Sequence, residues 1–81
     1  MDATGDMRAF VQVVEQGSFA AAAQSLALSP SAVSKLVSRL EDRLGIQLLH
    51  RTTRRLSLTS EGELYFSRAR QILADIEDVE A

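Results

Sequence analysis

Ser31, Ser34, Lys35, Ser38 and Asp42 stand at i, i+3, i+4, i+7 and i+11, with Arg39 beside them. That spacing gathers them on one side of a helix. Short hydroxyls let a helix backbone come close to another surface and donate to phosphates or base edges, while lysine or arginine addresses the N7 and O6 atoms of guanine. The start of a helix adds amides without partners, which attract an anion. Together these groups suit contact with duplex DNA. On this reading Ser31, Ser34 and Lys35 address base edges, whereas Ser18, Ser38 and Arg39 touch the backbone, which positions without reading sequence. The competing reading is a solvated helix side, where serines are common.

Charge distribution bears on that choice. The 81 residues carry a net charge of -2, which taken whole argues against a polyanionic partner. Between Lys35 and Arg55, however, Lys35, Arg39, Arg43, Arg51, Arg54 and Arg55 outnumber Glu41 and Asp42, leaving +4 there and -6 on the rest of the chain. Screening confines electrostatic attraction to about 8–10 Å, so local sign matters more than the total.

Several elements must position these groups. Met7, Phe10, Val11 and Val14 mark the inward face of a first helix, with Thr4 and Asp6 both placed to cap its start and Gly17 to end it. Ser18 can cap a second helix, in which Phe19, Ala22, Ala23 and Leu26 repeat the spacing and the alanine run permits close backbone approach. Ser29 and Pro30 fit the N-cap and first position of a third helix, and Leu28 and Val33 occupy the positions of a hydrophobic staple. Val33, Leu36, Val37, Leu40 and Leu44 face inward along it, and Gly45 stops it with Ile46 folding back. The short connection between the second and third helices suits a helix-turn-helix.

After Gly45 the period changes. Leu48-Leu49-His50 and Leu56-Ser57-Leu58 flank the basic tip Arg51–Arg55, which predicts a small β-hairpin, a wing. Thr59 can cap a final helix in which Tyr65, Ala69, Ile72, Ile76 and Val79 form a heptad-like seam, widened by Phe66 and Leu73. So short a chain has little core left to offer near its C-terminus, and a partner helix is the expected cover. The expected architecture is mainly α: a winged helix-turn-helix of three helices and a short hairpin over residues 1–58, then a linker and dimerisation helix over 59–81.

Little here suits an enzyme. His50 is the sole histidine and falls on the wing, no serine has a histidine partner placed by motif, and there is no phosphate loop or metal-spaced cluster. No cofactor or metal is expected. The absence of cysteine excludes disulfides and thiolate metal sites and agrees with a reducing compartment. With neither a signal segment nor an apolar run of about 20 residues, a cytoplasmic protein is the simplest expectation. The rival class is a protein-interaction module whose seam binds partner helices while DNA is irrelevant.

The stretches Phe19–Leu26, Ser29–Glu41, Leu44–Arg54 and Leu58–Gly62, in this order and spacing, resemble the N-terminal domain of LysR-type transcriptional regulators. The likeness covers nearly everything from Met7 onward. It implies a winged helix-turn-helix whose linker helix pairs in an antiparallel homodimer. It also implies binding to an interrupted inverted repeat near a promoter, with the recognition helix in the major groove and the wing at the minor groove. The family's base and backbone contacts fall on Pro30, Ser31, Ser34 and Lys35, and its minor-groove arginine on Arg54. Arg51 matches an arginine serving wing structure as well as DNA. Lys35 stands where arginine is more usual and offers a point charge rather than a planar fork. Family members continue into a larger domain that binds a small-molecule effector. This chain, with no small-molecule site of its own, is therefore expected to be an excised piece rather than a minimal regulator, and any higher oligomer to belong to a full-length form.

Overall fold

The computed structural model describes residues 4–50 and 56–80. Four helices follow one another: α1 Gly5–Gln16, α2 Phe19–Leu26, α3 Pro30–Leu44 and α4 Ser60–Glu80. α1 lies at the centre and packs against α2, α3 and α4. That surround explains a difference from the spacing-based face. Phe10 and Val11 are buried as expected, but so are Ala9 and Val13, while Met7 and Val14 are only half-buried at the rim. A helix covered from three directions buries more than one stripe.

The helix ends carry the connections. α1 closes on Gly17 in the left-handed region (φ 82°), with its N–H bonded to the Val13 carbonyl. At the other end neither candidate cap acts as one. Thr4 occupies the cap position without a side-chain capping bond, its Oγ1 accepting from Arg8 Nε at 3.2 Å instead, and Asp6 lies within the first turn. Ser18 Oγ accepts the Ala21 N–H at 3.0 Å, and Ser29 Oγ accepts that of Ala32 at 3.2 Å. Each satisfies a donor that a bare helix start leaves open. α3 ends at Gly45 (φ 70°), whose N–H, with that of Ile46, returns to the Glu41 carbonyl.

The turn between α2 and α3 is locked differently from expectation. Leu28 remains 43% exposed although Val33 is buried, so the apolar staple contributes little. Instead Ala27 adopts the left-handed conformation (φ 57°), the Ala27 N–H reaches the Gln24 carbonyl at 3.3 Å, and the Leu28 N–H reaches that of Ala23 at 2.9 Å. This paired closure is a Schellman motif, here with alanine where glycine is usual.

The hairpin expected after Gly45 is reduced, among the described residues, to one antiparallel bridge between Leu49 and Leu58. The His50 N–H bonds the Ser57 carbonyl and the Thr59 N–H that of Leu48, each at 3.0 Å. Leu48 and Leu49 sink into the core, which roots this segment. Thr59 then performs the expected cap: its Oγ1 accepts the Gly62 N–H at 2.9 Å while donating to the Gln47 carbonyl at 2.6 Å.

α4 crosses α1 through aromatic contacts. The Phe10 ring meets Tyr65 edge-on at 5.7 Å and Phe66 at 6.5 Å. Farther along, Ala69 and Leu73 are buried against the same core. The approach of α4 to the hairpin base requires a bare backbone at Gly62. A Cβ added there would drive into the Leu48 carbonyl oxygen, with the carbonyl carbon only 2.9 Å away. Backbone cannot swing aside as a flexible side chain can. Gly62→Ala is therefore expected to destabilise the fold by about 1–3 kcal/mol, the usual cost of overpacking, read as a lower urea midpoint at unchanged m-value.

Candidate nucleic-acid interface

α3 presents two unlike sides. Val33, Val37 and Leu40 are fully buried against α1, and this fixes the rotation of the helix about its own axis. The opposite side carries Pro30, Ser31, Lys35, Ser38 and Arg39, all exposed, with Ser34 half-buried beside them. The structure thus brings together five of the residues singled out by spacing, with Pro30, which the resemblance adds. Ser18 is exposed at the start of α2. Arg51 and Arg54 lie outside the described residues.

The first turn of α3 is internally ordered. Ser29 and Ser31 hydroxyls lie 3.2 Å apart, which links the capping oxygen to the first serine of the exposed face. Ser31 is thus held by its neighbour, whereas Lys35, one turn further on, extends into solvent.

Two charges counted in the basic stretch have other work. Arg43 forks onto Asp6 of α1, with Nε at 3.1 Å from Oδ2 and Nη2 at 3.3 Å from Oδ1. The hydrogen bond to Asp6, and then its charge, raises the Arg43 pKa further above its ordinary value. Tyr65 stands beside the pair, and burial foremost pushes its hydroxyl pKa up. Asp6 itself is buried and also accepts the Met7 N–H at 2.8 Å. Arg43 stays half-exposed, but its charge is thereby balanced by Asp6 rather than offered to a polyanion. Glu41 is the second. Its Oε2 accepts the N–H groups of Leu48 at 2.8 Å and Leu49 at 3.2 Å, so this negative charge turns toward the hairpin base. From the start of α3 to Arg39 the exposed ionic groups, Lys35 and Arg39, are cationic, and Asp42 stands near the far end.

The C-terminal seam divides. Ala69 is 1% exposed and belongs to the domain's own core, Tyr65 packs on Phe10, and Ile76 leans on the same cluster. Ala69 is therefore corrected from a partner contact to a core residue, because α1 reaches farther along α4 than chain length alone suggested. Ile72 (47% exposed) and Val79 (86%) do face outward, and Leu64 (64%), missed by the heptad reading, joins them. Arg68, Gln71 and Asp75 are exposed on the same side.

Spacing also missed Asp6, Glu41, Gly62 and Ala27 as positioning elements. Glu41 and Gly62 appear in the sequence only as members of the matched stretches, and Asp6 only as a candidate cap of α1. Among the described residues no group of three or more acidic, histidine or cysteine side chains is arranged to hold a metal, and no helix is long and apolar enough to cross a membrane.

Comparison with known proteins agrees with this geometry. The model of the bacterial regulatory helix-turn-helix protein, lysR family, matches residues 4–63. The HTH-type transcriptional regulator CrgA of Neisseria meningitidis is 58% identical over 71 residues, covering 88% of this chain and 24% of CrgA. The HTH-type transcriptional activator AaeR of Escherichia coli is 47% identical over 90% of the chain and 24% of its own length. The chain thus spans about a quarter of the length of these curated relatives. Among solved structures, BenM_DBD in complex with catB site 1 DNA superposes with a TM-score of 0.90 at 35% identity, over 98% of this chain and 84% of that one.

Arg43→Ala is expected to lower the thermal midpoint, because it strands a buried carboxylate, yet to leave the salt dependence of DNA binding unchanged. Adding Asp6→Ala should recover part of the lost stability. A double-mutant cycle followed by circular dichroism, with DNA titrations at several salt concentrations, checks both points.

Proposed function

The chain belongs to the lysR family of bacterial regulatory helix-turn-helix proteins, and from that premise we propose that it binds double-stranded DNA sequence-specifically as the DNA-binding part of a transcriptional regulator. α3 enters the major groove and the segment 48–58 approaches the adjacent minor groove of an inverted-repeat promoter site. One observation carries this reading: a helix whose buried side fixes its rotation displays Ser31, Ser34 and Lys35 on the other. Ser31, Ser34 and Lys35 address base edges. Pro30, Ser18, Ser38 and Arg39 lie along the phosphates, and Arg51 and Arg54 serve the wing contact. The BenM complex supports the reading by analogy of fold, in a protein whose structure is named for its DNA. Such a protein works in the cytoplasm, on the nucleoid, and needs no catalytic group.

The exposed side of α4 supports a homodimer. Leu64, Arg68, Gln71, Ile72, Asp75 and Val79 fall on one stripe. Read backwards the stripe matches itself: Leu64 corresponds to Val79, Arg68 to Asp75 and Gln71 to Ile72. An antiparallel second copy therefore meets apolar ends with apolar ends and Arg68 with Asp75. A parallel copy would oppose Arg68 to Arg68. Within one helix Arg68 and Asp75 lie about 10 Å apart along the axis, too far to satisfy each other. Functionally, residues 1–58 are the DNA-reading unit and 59–81 the dimerisation helix, although α4 shares the core of α1.

Selection of bound oligonucleotides from a random pool tests the reading, with an inverted repeat as the expected product. Lys35→Ala should cost about 1–3 kcal/mol at the preferred site and relax the preference at one base pair. Arg54→Ala should reduce the slope of log K against log salt by about 1. Failure of the unaltered chain to select any sequence sinks the proposal and favours an interaction module. For the dimer, Arg68→Asp or Asp75→Arg alone should shift sedimentation toward monomer, and the two together should restore the dimer.

A further inference from the structure

Glu41 is a poor local choice where it stands. It lies in the last turn of α3, where the exposed carbonyls carry partial negative charge and a cation is favoured. Arg43 in the same turn has the expected sign. A residue that breaks a local rule is explained by what it does at longer range. Here one carboxylate oxygen, Oε2, receives two successive backbone N–H groups, from Leu48 at 2.8 Å and Leu49 at 3.2 Å.

Among the described residues these are the hydrogen bonds that tie Leu48 and Leu49 to α3. Their side chains are buried, and hydrogen bonds to a charged acceptor are the stronger kind. The same residues face the returning strand: the Leu48 carbonyl accepts the Thr59 N–H, and Leu49 is bridged to Leu58. The inner strand of the hairpin base is thus held by its N–H groups to α3 and by its partner strand on the other side. The backbones of α3 and α4 do not approach each other among the described residues. Glu41 is therefore a direct polar link from the recognition helix to the segment that approaches the neighbouring groove.

We propose that Glu41 is a positioning residue, whose carboxylate sets the base of the hairpin at a fixed place beside the end of α3 and so aligns the two DNA-contacting elements. The inference rests on the reading of α3 and the hairpin as a DNA surface. It predicts that losing the acceptor uncouples the hairpin from DNA while α3 continues to read its bases.

Amide exchange in the free chain and DNA titrations over a range of salt test it together. In Glu41→Ala, exchange at Leu48, Leu49 and His50 should accelerate roughly ten-fold or more relative to Val37, and the slope of log K against log salt should become shallower. Glu41→Gln removes the same charge but keeps an acceptor oxygen, and should return both readouts most of the way to the parent values. Glu15→Ala removes an exposed negative charge of α1 without touching the strand or the DNA-facing side of α3, and should change neither. Should the alanine variant fail to fold, Glu41→Asp, too short to reach both amides, takes its place with the same expectation. Uniform acceleration of all amides, or a parent-like slope, overturns the assignment, because the carboxylate would then stabilise without placing anything. A parent chain whose DNA affinity ignores salt sinks the reading of the surface and takes this inference with it, a result seen before any variant is made.

Discussion

Phe10 is sealed from solvent, and its ring meets those of Tyr65 and Phe66 edge-on while α1 carries it between α2, α3 and α4. A chain this short can build one core only, and its margin of stability is thin. Burying the residues around Phe10 therefore decides several things together: the rotation of α3, the angle at which α4 crosses, and which side of each helix is left for partners. The serine and lysine face is exposed because Val33, Val37 and Leu40 have no other place to go.

Polar contacts then refine what burial only roughly places. Asp6 joins the beginning of α1 to the end of α3 through Arg43, and Glu41 joins the end of α3 to the hairpin base. Thr59 ties the start of α4 to Gln47 and Leu48. All three gather around the end of α3 remote from Ser31. α3 is thus gripped at its C-terminal end, and its serine-rich beginning is left accessible. A stiff element held at one end presents the other with little freedom, which suits close approach to a grooved surface.

Much of this was legible in the sequence because it is local. Ser18, Ser29, Pro30, Thr59, Gly17 and Gly45 each act within a few residues of their position, and each stands where its chemistry predicts. The exposed face of α3 was legible because helical period alone defines it. What escaped depends on distance or on alternatives that spacing cannot rank. Asp6 and Arg43 are 37 positions apart. Nothing around Ala27 announces a left-handed alanine, since glycine is the usual signal there. The seam of α4 was read as one stripe, whereas α1 claims part of it. Periodicity finds an apolar side but does not say whether the cover comes from the same molecule.

The self-matching order of Leu64, Arg68, Gln71, Ile72, Asp75 and Val79 has a geometric corollary. A patch that is its own complement under a two-fold rotation is used up once two copies meet, since each supplies what the other requires. Growth along that contact terminates there, with no unsatisfied edge left to recruit a third molecule. An offset pattern, by contrast, would leave sticky overhangs and extend into a filament. In the homodimer proposed above, α4 supplies a stopping rule as well as an attachment.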